Sequence, residues 1–240
     1  MTSPEFSYAS SELDSLRDAR NYYGMLIDRF RGFFGDRIVE IGAGVGNFAD
    51  YLLRESAGSF VLVEPATNHI ALLEERFAGD SRVKVVHGYL ETLPTEIAGD
   101  TFVMVNVLEH IEDDEGTLAS IHQRLSAGGA LLLFVPAVPQ IYGSLDREFA
   151  HFRRYTKPDL KRKLIGAGFD IERLDYVNFP GVLSWFIAGR VLRKKTLEIR
   201  DVQLYDRFVV PWVNALERRW KPPIGQSLLA IAIKRSSPTG

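Results

Sequence analysis

The 240-residue chain is predicted to fold as one α/β domain on a mostly parallel sheet with helices on both faces. Three observations predict it. An apolar run (Ile38, Val39, Ile41) ends in glycines at alternate positions, Gly42, Gly44 and Gly46, and a helical pattern follows from Phe48. Apolar strands and helical stretches then alternate to about residue 180, which calls for parallel pairing with right-handed crossovers. Finally, 240 residues with 46% hydrophobic side chains suit a single decorated domain rather than two full ones.

The elements follow in order. Residues 1–10 are expected to be disordered, and 11–35 to form an N-terminal helical lid. Ser11 with Asp14 can cap its start, and Leu13, Leu16, Tyr23, Leu26, Ile27 and Phe30 recur near helical spacing. A helix merely packed on the sheet edge reads equally well. Residues 36–177 form the core, with strands expected at 37–41, 60–64, 83–87, 102–107, 125–136 and 170–177. Residues 178–226 are a tryptophan-rich, basic insertion, and 227–235 the last strand.

The glycine loop carries the first functional signal. Bare backbone lets a ligand lie against the chain, and the helix beyond offers unpaired N–H groups. A dinucleotide fingerprint would place its third glycine where this chain has Asn47. Glu40, just before the loop, would repel a pyrophosphate and attract an ammonium group. The expected ligand is therefore a nucleotide bearing an amino acid, not a nicotinamide. Some 20 residues on, Phe60-Val-Leu-Val-Glu-Pro65 is a second strand ending in an acid, and Glu64 is placed to accept from a ribose.

Glu40-Ile-Gly-Ala-Gly-Val-Gly46 resembles motif I of the class I S-adenosylmethionine-dependent methyltransferases. Asn106-Val-Leu-Glu-His-Ile111 resembles motif IV of their small-molecule branch, the ubiquinone-biosynthesis type included, and Leu125–Pro136 resembles the turn and strand that follow. His151-Phe-Arg-Arg-Tyr155 is similar to a segment of a bacterial branch. The likeness spans roughly residues 36–175 and the final strand, Ser227–Ile233. It implies a Rossmann-like, seven-stranded fold, S-adenosylmethionine as cofactor, and an N-terminal segment lying over it. By the same resemblance Glu40, Gly42, Ala43, Gly44, Gly46 and Asn47 surround the methionine part, Glu64 and Pro65 the ribose, and Asn106 and Val107 the base and methyl side. One position departs from the pattern. Where the family has an acid for the adenine amino group, this chain has Tyr89. Tyr89 is expected to stack on the base, or Glu91 to replace the acid, with Leu90 giving apolar contact through its neighbouring backbone.

Composition excludes several classes. There are no cysteines, hence no disulfide, thiolate metal site or cysteine nucleophile. Net charge is -2, with no basic stripe carrying interleaved aromatics, so no nucleic-acid partner is expected. The Asn/Asp-Pro-Pro-Tyr/Phe segment of amino-group DNA methyltransferases is absent at Asn106-Val-Leu-Glu109. With no signal-like N-terminus and no apolar run of spanning length, the expectation is a cytoplasmic protein.

Methyl transfer asks for an aligned nucleophile, and an oxygen nucleophile also needs a base near neutral pH. Of five histidines, His69, His87 and His122 read as structural or surface groups; His151 and His110 are the catalytic candidates. Tyr142, Arg153, Arg154 and Tyr155 are candidate substrate contacts, the arginines for an anionic group. The other reading is that they tie their loop to Asp146 and Glu148. No His/Asp/Glu set has metal-ligand spacing along the chain, so no metal is expected. The acceptor is expected to be a small or lipid-linked molecule, methylated at oxygen. The alternatives are an amine nitrogen, or a cofactor-binding protein without turnover.

The insertion holds all three tryptophans, Trp185, Trp212 and Trp220, and nine basic residues against four acids. That leaves about -7 on the rest of the chain. Three roles fit it: a lid over an apolar substrate, a surface for peripheral contact at the inner membrane face, or a homodimer contact.

Overall fold

A computed structural model describes residues 17–235; the expected disorder of 1–10 and the Ser11/Asp14 cap lie outside them. A helix α1 (Arg20–Phe30) precedes β1 (Arg37–Ile41), α2 (Ala49–Glu55), β2 (Ser59–Glu64), α3 (Thr67–Phe77), β3 (Val83–His87) and β4 (Gly99–Val105). Then come α4 (Asp114–Arg124), β5 (Leu125–Pro136), α5 (Ser144–Glu148), α6 (Lys157–Gly166) and β6 (Asp170–Val177). The insertion supplies α7 (Phe179–Phe186), continued by a π-turn to Val191, then α8 (Ile199–Phe208) and α9 (Val210–Glu217), before β7 (Ser227–Ile233).

The sheet order is β3-β2-β1-β4-β5-β7-β6. All pairings are parallel except those of β7, which runs antiparallel between β5 and β6. The predicted seven-stranded, mostly parallel sheet is thus the observed one. Ile38, Val39 and Ile41 of β1 are apolar because the strand lies between β2 and β4 with both faces covered.

Alternate residues of the central strands feed two cores. Phe102, Met104, Leu131 and Leu133 meet Leu118 and Ile121 of α4 and Leu160 and Leu164 of α6. Val103, Leu132, Phe134 and Ile231 meet Leu26 and Phe30 of α1 and Val210 of α9. Burying each such leucine or phenylalanine contributes about 1.5–3 kcal/mol before entropy is counted. α1 is therefore chiefly a layer on the sheet face, and Tyr22 and Met25 in its first two turns reach the ligand end.

The bounds of β4 differ from expectation. β4 ends at Val105, two residues early, because Asn106 turns left-handed (φ 53°), a conformation asparagine tolerates. Within the segment predicted as helical, α1 spans Arg20–Phe30, and positions 11–16 lie outside the described residues. Its first amides are capped by the insertion: Asp206 accepts from the N–H of Asn21 (3.1 Å) and of Tyr22 (2.8 Å). Buried Glu217 pairs with Arg29 at 3.0 Å and also accepts from the amides of Asn178 and Phe179. These two carboxylates bolt the insertion to α1.

Candidate active site

The glycine loop leaves the carboxyl end of β1 with Gly42, Gly44 and Gly46 at φ 72°, 57° and 81°, a region costly for side-chain-bearing residues. A Cβ on Gly42 would also lie 2.5 Å from a methyl of Val107. Glu64, at the end of neighbouring β2, accepts from the amides of Gly44 (2.8 Å) and Ala66 (2.9 Å), and His69 Nδ1 lies at 3.4 Å. An ionised carboxylate has about four acceptor sites. The loop thus fixes the direction of Glu64 and leaves it room for a ribose hydroxyl.

Glu40 is buried, and its Oε2 has no hydrogen-bond partner among the described residues. Burial, then the nearby charges of Glu64 and Asp50, push its carboxyl up to about 8. A buried orphan carboxylate beneath a glycine loop suits the ammonium of an amino-acid-bearing nucleotide. The residues present therefore fit S-adenosylmethionine.

The rest of the predicted cofactor set is divided. Asn47 accepts from Arg76 at 3.3 Å, and the same guanidinium donates to the carbonyl of Val45 (2.6 Å) and pairs with Asp50. Arg76 thereby clamps the loop, a role sequence spacing did not reveal. Tyr89 stands exposed after β3, open to stacking on a base. Leu90 instead faces the core at 2% exposure, which removes its side chain from adenine contact; only its backbone stays available. Glu91 is exposed and accepts from Thr117 at 3.1 Å through one of its two oxygens.

A cavity of about 160 Å³ opens at the carboxyl end of the sheet. Its floor includes Asn106, Phe134, Pro136 and Ser227; Tyr22 and Met25 of α1 and Trp185, Leu197, Val210 and Val213 of the insertion close it. Asn106 Nδ2 donates to the Tyr22 hydroxyl at 2.9 Å. Both the N-terminal helix and the insertion thus line the cavity.

Into this cavity face Glu109, His151 and Arg154. Asp146, fully buried in α5, organises them. Its Oδ1 meets His151 Nδ1 (3.1 Å) and Arg154 Nε (2.6 Å); its Oδ2 accepts from Gly143 N (2.8 Å) and Trp185 Nε1 (3.1 Å). Burial would raise this carboxyl, but the bonds from His151, Arg154, Trp185 and Gly143 outweigh it and hold Asp146 down at about 2. Arg154 also donates to the carbonyl of Ala137 and stacks on Trp185, 4.7 Å from its ring centre. Burial, then the neighbouring His151, lowers His110 to about 3, which leaves it neutral and weakly basic. The His110 and His151 rings meet edge to face at 4.7 Å.

Three predicted substrate contacts lie elsewhere. Tyr155 is fully buried, its hydroxyl committed to Asp114 (2.9 Å) and the carbonyl of Leu108 (3.2 Å), which places it in the core. Arg153 pairs with Asp114 at 3.0 Å and donates to the carbonyl of Glu112. The Tyr142 hydroxyl donates to the carbonyl of His151 (2.7 Å) and so shapes that residue's backbone. Chain spacing offered no metal set, yet in space Glu109, His110 and His151 each bring a ligand atom within 4.8 Å of the others. These residues come from the loops after β4 and β5, 41 positions apart, which is why spacing could not show them.

The profile of a methyltransferase domain family matches residues 39–131, which hold the glycine loop, Glu64 and Asn106. Residues 39–131 are thus similar to a methyltransferase domain. The chain is an S-adenosylmethionine-dependent enzyme, and S-adenosylmethionine is its cofactor. Solved structures share the methyltransferase's fold. An S-adenosylmethionine-dependent methyltransferase from Mesorhizobium loti is 19% identical at a TM-score of 0.60, over 90% of this chain and 99% of that one. Haemonchus contortus phosphoethanolamine N-methyltransferase 2, in complex with phosphomonomethylethanolamine and S-adenosylhomocysteine, is 20% identical at 0.63, over 90% of this chain and 53% of that one. The [4+2]-cyclase SpnF is 16% identical at 0.62, over 91% of this chain and 81% of that one. No curated protein sequence matches the chain.

Proposed function

We propose that the methyltransferase transfers a methyl group to oxygen on a small or lipid-linked acceptor held in the cavity beneath the insertion, with His151 as base. The observation that carries this is the Asp146–His151 pair at the cavity wall. Bound S-adenosylmethionine supplies an electrophilic methyl group on a sulfonium leaving group. Glu40 pairs with its ammonium and Glu64 holds its ribose. Asp146 accepts from His151 Nδ1–H, which fixes the tautomer and leaves Nε2 to take the acceptor's hydroxyl proton. Arg154 lends positive potential at the same wall and favours an acceptor with an anionic group. The apolar closure by Tyr22, Trp185, Leu197, Val210 and Val213 excludes water from the transfer.

The test uses radiolabelled S-adenosylmethionine with a panel of hydroxylated and amine-bearing acceptors, free and polyprenyl-linked. His151→Ala is expected to lose transfer to oxygen by about 10²–10⁴-fold while keeping cofactor affinity. Wild-type turnover in that variant overturns the base assignment. A second reading rests on Glu109, fully buried and facing the cavity. Its carboxylate suits an amine acceptor, whose nitrogen can arrive neutral with its lone pair available, so that no base is essential. Transfer to amines that survives His151→Ala and fails in Glu109→Gln would select it.

A further inference from the structure

Twelve of the sixteen large hydrophobic side chains exposed among the described residues lie between Phe179 and Trp220. They are ordered. Along α8 and α9, Leu204, Phe208, Trp212, Leu216 and Trp220 recur every fourth residue, and Trp212 is 81% exposed. Along α7 and its π-turn, Phe179, Leu183, Ile187 and Val191 repeat the same spacing. The rows meet where Phe179 packs edge to face on Trp220, 5.9 Å between ring centres. Fourfold spacing keeps each row on one side of its helix. These outer rows add to the inward faces that already bury Val210 and Val213.

Charge is sorted the same way. Of the four acids in the insertion, Asp206 and Glu217 point inward to α1, Asp201 pairs with Lys194 at 3.0 Å, and only Glu198 is exposed without a salt-bridge partner among the described residues. The basic residues point outward. Arg193, Lys195, Arg200, Arg207 and Arg219 are exposed, and none pairs with an acid among the described residues. No helix of the described chain is long and apolar enough to cross a membrane.

We propose that α7–α9 dock on the surface of an anionic lipid bilayer, with the apolar rows at the acyl boundary and the arginines and lysines among the headgroup phosphates. Charge decides the occupant. An isologous dimer through this face would set the same cations against one another, whereas an anionic bilayer neutralises them. The docking helix and the acceptor cavity share a part: Trp185, on α7, reaches Asp146 from the inner side of the helix. A docked enzyme thus holds its cavity at the interface, where an acceptor with a long apolar chain resides. Docking goes beyond the methyl-transfer reading and does not depend on it.

The test is sedimentation of the full chain with phosphatidylglycerol or phosphatidylcholine vesicles, with light scattering to read its oligomeric state. Strong binding to phosphatidylglycerol, weak binding to phosphatidylcholine and loss of binding at high salt are expected. Each cation near an anionic surface multiplies the partition constant by about five. Neutralising Arg193, Lys195, Arg200 and Arg207 with glutamine is therefore expected to weaken binding by about two to three orders of magnitude. Phe208→Ser with Trp212→Ser removes the apolar share and is expected to weaken binding to both vesicle types. Every substituted side chain is exposed, and an unchanged melting temperature confirms the fold. No sedimentation of the wild type with phosphatidylglycerol vesicles overturns the proposal, as does a dimer that Phe208→Ser and Trp212→Ser dissolve without changing vesicle binding. Methyl transfer in detergent is read separately, so loss of docking and loss of turnover are distinguishable.

Discussion

Trp185 Nε1 donates to Asp146 Oδ2 at 3.1 Å, while the other oxygen of that carboxylate meets His151 Nδ1. A helix of the insertion is thereby joined, through one buried acid, to the candidate base. Trp185→Phe deletes this donor and keeps most of the packing. It is expected to cost about 1 kcal/mol of stability and to lower kcat more than it raises KM, read by thermal melts and initial rates. Asp146→Asn leaves Arg154 buried without its counter-ion and is expected to cost about 3–5 kcal/mol. A stable, fully active Asn variant would remove Asp146 from the catalytic unit.

Glu40 links cofactor binding to pH. Its folded-state value of about 8 lies above the ordinary 4.5. Below about 4.5 the group is protonated in both folded and unfolded chains and has no effect. As pH rises from there to 8, only the unfolded chain releases the proton, so folding stability falls across that window. Glu40→Gln is expected to flatten the slope and to raise stability at pH 8 by on the order of a few kcal/mol. Binding of S-adenosylmethionine, whose ammonium favours the carboxylate, is expected to release close to one proton at pH 7. Calorimetry in two buffers of different ionisation heat reads that proton; enthalpies identical in both would refute the pairing.

Gly42 combines a positive φ with a wall 2.5 Å from where its Cβ would be. Gly42→Ala is expected to destabilise the chain by about 1–3 kcal/mol and to weaken cofactor binding by more than tenfold. Gly79 has nothing within 4 Å of its would-be Cβ. Gly79→Ala serves as the control and is expected to leave binding unchanged.

The Glu109–His110–His151 cluster tests how the acceptor is activated. Glu109 lies close enough to Arg154 to support its positive charge, so the cluster already has a cation. Turnover is expected to survive extended chelation with EDTA and to gain nothing from added magnesium, manganese or zinc. Activity lost on chelation and restored by one metal would make His151 a ligand instead of a base.

The glycine loop and the acids beside it were legible because each part is local. Gly42, Gly44 and Gly46 announce a turn that only bare backbone can make, and Glu40 and Glu64 end adjacent strands whose pairing follows from parallel order. The orientation of Leu90 was not legible, because an apolar residue after a strand can face ligand or core, and only packing turned its side chain to the core. Tyr155 was misplaced for a similar reason, since a tyrosine with a buried partner, Asp114, looks no different in sequence from one that meets a substrate.

Sequence alone thus determined the parallel sheet, the loop that receives the nucleotide and the surplus of positive charge in residues 178–226. All three are carried by neighbouring residues and by composition. Tertiary structure decided which histidine has a carboxylate behind it, which arginine faces the cavity, and that Asp206 and Glu217 turn inward while the cations turn out. Those relations join residues 5 to 188 positions apart. They depend on which side chains the folded core desolvates, a property that no local pattern of residues encodes.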